Sequence, residues 1–128
     1  MLFRSICVDD HPILLSGLVQ SVRLAAPEAQ IHGFSTAREA LDFAIAHGCD
    51  VLMCEIELYH RSGIWLADQI RRYYPAANII FVTVCSEKEH ARDVLRLRAS
   101  GYLTKPATQQ QIAEELRHLR YAVTATGL

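Results

Sequence analysis

Five times along this chain a short run of β-forming apolar residues is followed by a stretch whose apolar residues recur every three or four positions. That alternation constrains the fold more than any other feature. A strand can pair with a parallel neighbour only across a crossover of a dozen or more residues. A succession of strand–helix units therefore calls for a parallel sheet with right-handed crossovers and helices on both faces. The spacing predicts strands at 3–8, 29–34, 51–56, 78–84 and 101–104. Helices are expected after Pro12, from the Thr36–Glu39 capping box to Gly48, over Ile64–Tyr74, after the Ser86–Glu89 box, and after the Thr108–Gln111 box. In the helix after Ser86, Ala91, Val94 and Leu95 fall on one face. The third run, Val51 to Ile56, is apolar except at Glu55, as a strand covered on both faces should be.

At 128 residues, 51% of them hydrophobic, the chain can bury one core without disulfides or metal staples. Residues 1–122 read as one domain, and 123–128 as a tail or the start of a linker. A formal charge of −1 gives no global attraction to nucleic acid or an anionic membrane. The amino terminus lacks the pattern of a signal peptide, and no apolar window is long enough to span a bilayer, so a cytoplasmic location is expected. Cys7, Cys49, Cys54 and Cys85 form no CxxC pair and are expected to be buried, reduced thiols. His11, His32, His47, His60, His90 and His118 show no ligand spacing. Arg92, Arg96 and Arg98 read as a solvated helical face or a basic patch.

For five strands the common doubly wound order is 2-1-3-4-5, with its crevice at the carboxyl ends of strands 1 and 3. The residues ending the strands then gather at one edge: Asp9 and Asp10, Glu55, Thr83 and Lys105. Three adjacent carboxylates must share a cation, take up protons or pair with a base. Lys105 can neutralise one, and a hard divalent ion such as Mg²⁺ the others. With the Thr83 hydroxyl added, the set suits transfer of a phosphoryl group to a carboxylate. Singly each residue has a plainer reading, since aspartate caps helices and threonine fills strands. Their convergence on one edge is what carries weight.

At these positions the chain resembles the receiver domain of bacterial two-component response regulators, over residues 3 to 121. The likeness rests on Cys7-Val8-Asp9-Asp10-His11-Pro12, Asp50 to Gly63, Ile79 to Thr83, and Gly101-Tyr102-Leu103-Thr104-Lys105-Pro106. Asp-Asp-His-Pro followed by Leu14-Leu15-Ser16-Gly17-Leu18 is most similar to the LuxR/NarL type. The resemblance implies the (βα)5 flavodoxin-like fold, with Glu55 at the phospho-acceptor position. It implies metal binding by Asp9, Asp10, Glu55 and the backbone carbonyl of Glu57. It assigns Thr83 and Lys105 to the phosphoryl oxygens and Tyr102 to an aromatic switch, with Lys105–Pro106 often cis.

Three residues depart from that pattern: Glu55 for aspartate, Tyr59 for proline, and Val84 for a smaller residue. The extra methylene of Glu55 moves its carboxylate about one bond length into the pocket, a displacement of the size that costs a reaction roughly 10²-fold. A direct Glu55–Lys105 pair is then expected, with Thr83 donating to it and Mg²⁺ binding weakened or lost. The reading is a signalling receiver of a two-component response regulator, part of a transcription regulator, in which normal phosphorylation is impaired or bypassed. Alternatives are a phosphorylation-competent domain using Glu55 and a stand-alone protein-interaction module. No enzyme activity on a separate substrate is expected. Neither is a flavin or nucleotide, because no Gly-rich loop follows the first strand and Asp9-Asp10 would repel phosphate. Expected partners are a sensor histidine kinase or other signalling protein and a second copy of the chain. DNA would be reached only through a further carboxyl-terminal domain.

Overall fold

The computed structural model describes residues 3–123. Five strands, β1 (Arg4–Val8), β2 (Gln30–Phe34), β3 (Val51–Cys54), β4 (Asn78–Thr83) and β5 (Gly101–Thr104), form one parallel sheet in the order β2-β1-β3-β4-β5. The expected flavodoxin-like receiver architecture is the one observed. Helices α1 (Pro12–Ala25), α2 (Ala37–His47), α3 (Gly63–Tyr73) and α4 (Ala91–Arg96) lie in the four crossovers, and α5 (Gln109–Arg117) follows the last strand.

Strand alternation divides the core in two. Ile6, Val8, Leu52, Cys54 and Phe81 face α2 and α3, packing with Leu41, Leu66 and Ile70. Cys7, Met53, Ile80 and Val82 face α1 and α5, packing with Leu18, Val22 and Ile112. Each central strand is thus apolar on both sides, which is why its sequence shows no polar–apolar alternation. All four cysteines are buried free thiols.

Helix starts follow their capping chemistry. Thr36 accepts from Glu39 N–H at 3.2 Å, and Thr108 and Gln111 make both bonds of a capping box, at 3.1 and 2.8 Å. Gly48 ends α2 at φ 97°, a conformation costly for a side-chain-bearing residue.

The fourth helix departs from expectation. Ser86 does not cap it; its hydroxyl bonds the Glu89 carboxylate at 3.2 Å. A 3₁₀ turn over Glu87–His90 precedes a helix of only six residues. Of the Ala91/Val94/Leu95 face, Val94 packs against the core while Leu95 is 79% exposed, and Leu97 beyond the helix is buried. Arg96 pairs with Asp68 and Asp93, and Arg98 Nε donates to the Tyr121 hydroxyl. Of the basic residues noted on this segment, two are therefore held in local contacts.

Gly63 opens α3 where the helix passes the end of β3. A Cβ there would collide with the Glu55 carbonyl oxygen and lie 2.9 Å from Cys54 Sγ. Gly63 N–H also donates to the Ile56 carbonyl at 2.8 Å, so the backbone cannot easily withdraw. Gly63→Ala is expected to lower stability by about 2 kcal/mol in urea denaturation. An unchanged midpoint would mean that the loop before α3 yields freely.

Candidate functional site

Three of the site residues stand one step past a strand, and the neighbouring strand holds each by its backbone. Asp9 N–H donates to the Phe34 carbonyl at 3.2 Å, Glu55 N–H to Val8 at 3.0 Å, and Lys105 N–H to Thr83 at 2.7 Å. The ladder thus continues just far enough to orient these side chains over the carboxyl edge. Thr83 is the last residue of β4. Asp9, Glu55 and Thr83 are buried at 2%, 3% and 0% exposure, unlike most polar residues.

Lys105 Nζ lies 2.5 Å from Asp9 Oδ2 and 2.7 Å from Glu55 Oε1, bridging the two carboxylates. The Thr83 hydroxyl donates to Glu55 Oε2. Two backbone amides complete the ring, Glu57 N–H to Oε2 at 3.0 Å and Val84 N–H to Oε1 at 3.3 Å. Burial alone would raise the Glu55 carboxyl, but the bonds from Lys105, Thr83 and Glu57 outweigh it and its pKa falls below the ordinary 4.5. Burial would likewise lower Lys105, yet its bonds to Asp9 and Glu55 hold it above 10.5. The pocket therefore keeps an ionised carboxylate with four donors directed at it.

Asp9, Asp10 and His11 form a second layer, with one ligand-type atom from each within 4.8 Å of the others. Asp9 Oδ1 accepts from His11 N–H at 3.0 Å, and His11 Nδ1 sits 3.2 Å from Asp10 Oδ1. That Asp10 oxygen is buried and accepts no hydrogen bond. A buried carboxylate oxygen without a donor, beside a second carboxylate, suits a hard divalent cation.

Tyr102, whose ring centroid is 6.0 Å from that of Phe81, reaches the loop after β4. Its hydroxyl donates to the Cys85 and Ser86 carbonyls at 2.9 and 3.1 Å. Burial and the acidic groups nearby push its pKa up to about 12, so it remains a donor at neutral pH. The Lys105–Pro106 peptide is cis. Tyr59 is 83% exposed. Val84 meets the pocket through its N–H, and the residue is 57% exposed.

The structure brings Asp9, Asp10, Glu55, Thr83 and Lys105 to one edge, as their strand-end positions imply. The backbone donors Glu57 N–H and Val84 N–H are additional, and sequence cannot reveal them because every non-proline residue has an N–H. Gly63 is also additional, though a glycine between a strand end and a helix is a readable signal of close approach.

A family model for the response regulator receiver domain matches residues 6–117. Among curated relatives, the nitrate/nitrite response regulator protein NarP of Escherichia coli K12 is 26% identical over 115 residues, covering 90% of this chain and 54% of NarP. The sensory transduction protein LytR of Staphylococcus saprophyticus is 29% identical over 123 residues, covering 96% of this chain and 48% of LytR. The chain spans about half the length of these relatives. Among solved structures, a CheY-like receiver domain from Methanospirillum hungatei superposes with a TM-score of 0.83 at 22% identity, covering 91% of this chain and 92% of that one. The signal receiver domain of the putative response regulator NarL from Mycobacterium tuberculosis gives 0.78 at 23%, covering 90% and 93%. At these identities the structural matches establish the fold.

Proposed function

We propose, from the premise that this chain belongs to the response regulator receiver domain family, that it relays a signal without the usual phosphorylation of its acceptor site. Glu55 occupies the acceptor position, and its own carboxylate takes the contacts that a phosphoryl group would need. One observation carries this reading. Lys105 Nζ, the Thr83 hydroxyl and the Glu57 and Val84 amides all converge on Glu55. A carboxylate so engaged is a poor nucleophile, because attack requires a free lone pair aimed outward. It also satisfies Thr83 and Lys105 permanently, fixing the β4–α4 loop in one arrangement.

The test is treatment of the purified chain with acetyl phosphate and Mg²⁺, followed by intact-mass spectrometry. No phosphoryl adduct is expected. A stable adduct on Glu55 would overturn the proposal in favour of a phosphorylation-competent domain.

Asp9 and Asp10, with the Glu57 carbonyl, are the residues that would hold Mg²⁺, which when bound neutralises charge at this edge. Lys105 already occupies Asp9 Oδ2, and Glu55 has no oxygen to spare, so binding is weakened. Without metal, Asp10→Asn is expected to raise stability by about 1 kcal/mol, because it removes a part-buried negative charge, one of whose oxygens accepts no hydrogen bond, beside the buried Asp9. Added Mg²⁺ should raise the Tm of the parent chain and leave that of Asp10→Asn unchanged. An equal rise in both would place the ion elsewhere.

Partners follow from family membership: a sensor kinase or other signalling protein, and a second copy of the chain. The chain does not turn over a separate substrate. DNA contact and transcription control would belong to a further domain of a longer regulator, as half-length coverage of the curated relatives suggests. Among the described residues no helix is long and apolar enough to cross a membrane.

A further inference from the structure

Among the described residues, one other group of ligand-type side chains converges: Cys85, Glu89 and His90, with one ligand atom from each within 4.8 Å of the others. Spacing gave no hint of it, because a C-x3-E-H run matches no common metal motif. The 3₁₀ turn brings the three together. Its Glu89 N–H closes on the Ser86 carbonyl at 3.2 Å, folding Glu89 and His90 back over Cys85. The backbone beneath is held twice. Cys85 N–H donates to Thr83 Oγ1 at 3.2 Å, and Tyr102 donates to the Cys85 and Ser86 carbonyls.

The cluster offers sulfur, nitrogen and oxygen from three residues. The thiol is nearly buried, whereas Glu89 is exposed and His90 is half-buried, so the ligands are reachable from solvent. Asp93 Oδ2 lies 3.8 Å from His90 Nδ1 and adds negative charge beside the imidazole, and a carboxylate next to a metal-bound histidine is common. Burial, with Glu57 from the loop after β3 adding to it, pushes the Cys85 thiol up, so a metal must displace its proton on binding. We infer that Cys85, Glu89 and His90 form a site for a borderline divalent cation of the Zn²⁺ class, with water as fourth ligand. Three mixed protein ligands and one open position are the pattern of accessible tetrahedral zinc sites. Mg²⁺ prefers oxygen ligands in octahedral array, so it belongs with Asp9 and Asp10 and is the wrong ion here. As the sulfur–metal bond forms, the Cys85 proton passes to solvent. Through the Cys85 N–H to Thr83 hydrogen bond, the bound cation would brace the loop that follows Thr83, the residue in contact with Glu55.

The reduced full chain is titrated with Co²⁺ as a spectroscopic probe, and with Zn²⁺ in competition with a chromophoric chelator. Expected is a thiolate-to-cobalt charge-transfer band that Zn²⁺ abolishes and excess Mg²⁺ does not, with proton release on binding. Cys85→Ser should remove the band. His90→Ala, a change near the surface that spares the core, should weaken Zn²⁺ binding by at least roughly tenfold. Asp10→Asn should leave both unchanged. Absence of the band, Zn²⁺ binding indifferent to His90→Ala, or loss of binding in Asp10→Asn would each overturn the inference.

Discussion

Glu55→Asp is expected to convert a chain that acetyl phosphate leaves unmodified into one that carries a phosphoryl group, with a rate gain of at least about 10²-fold. Removing one methylene draws the carboxylate back from Lys105 Nζ and from Thr83 Oγ1, which now bond it directly. The space opened between them is where the phosphoryl oxygens would sit. In the step itself a carboxylate oxygen attacks phosphorus, the phosphorus–oxygen bond to acetate breaks, and acetate leaves with that electron pair. Lys105, Thr83 and the Val84 N–H then have oxygens to receive, in place of the carboxylate that occupies them in the parent chain. Intact-mass measurement over a time course checks this, with Glu55→Gln as the control that cannot accept. If Glu55→Asp stays unmodified, carboxylate placement is not what blocks the chemistry.

Lys105→Met is expected to cost about 3 kcal/mol at neutral pH, the lower range for stranding buried carboxylates without their cation. Asp9 and Glu55 are almost wholly inaccessible and share this single ammonium. Thr83 and two amides remain on Glu55, which keeps the cost from being larger. The pH dependence has a definite sign on each side. The folded pKa of Glu55 is lowered, so its contribution is present above the unfolded value of 4.5 and is lost as pH falls through the folded one. The folded pKa of Lys105 is raised, so its contribution is present below 10.5 and disappears as pH rises through the folded value. The parent chain should therefore exceed the variant most between these limits. Urea denaturation across pH reads the difference, and adding Glu55→Gln to Lys105→Met should recover part of it. Equal stability of parent and variant at neutral pH would mean that water already solvates the pair.

Much of the site was legible before any coordinates, for a topological reason. Five strand–helix units admit few arrangements, and in the one adopted the strand ends meet, so Asp9, Glu55, Thr83 and Lys105 could be named from the residues that close their strands. The methylene that distinguishes Glu55 from aspartate was enough to anticipate the contact with Lys105, since side-chain reach is a local property. The start of the fourth helix differs from the Ser86–Glu89 box because a capping pattern reports only a preference for helix starts. Here Ser86 turns to Glu89, a 3₁₀ turn comes first, and Val94 and Leu97 rather than Leu95 meet the core.

The sequence by itself determined the parallel sheet, the edge at which chemistry can occur and the charges gathered there, because periodicity and strand-end identity are written residue by residue. Only the tertiary structure decided that Lys105 bridges Asp9 and Glu55 together, that Asp10 keeps an oxygen without a donor, and that Cys85 meets Glu89 and His90. Those outcomes turn on distances of a few ångströms between segments far apart in the chain or folded by an irregular turn. Local propensity does not encode such distances; packing and backbone hydrogen bonds set them.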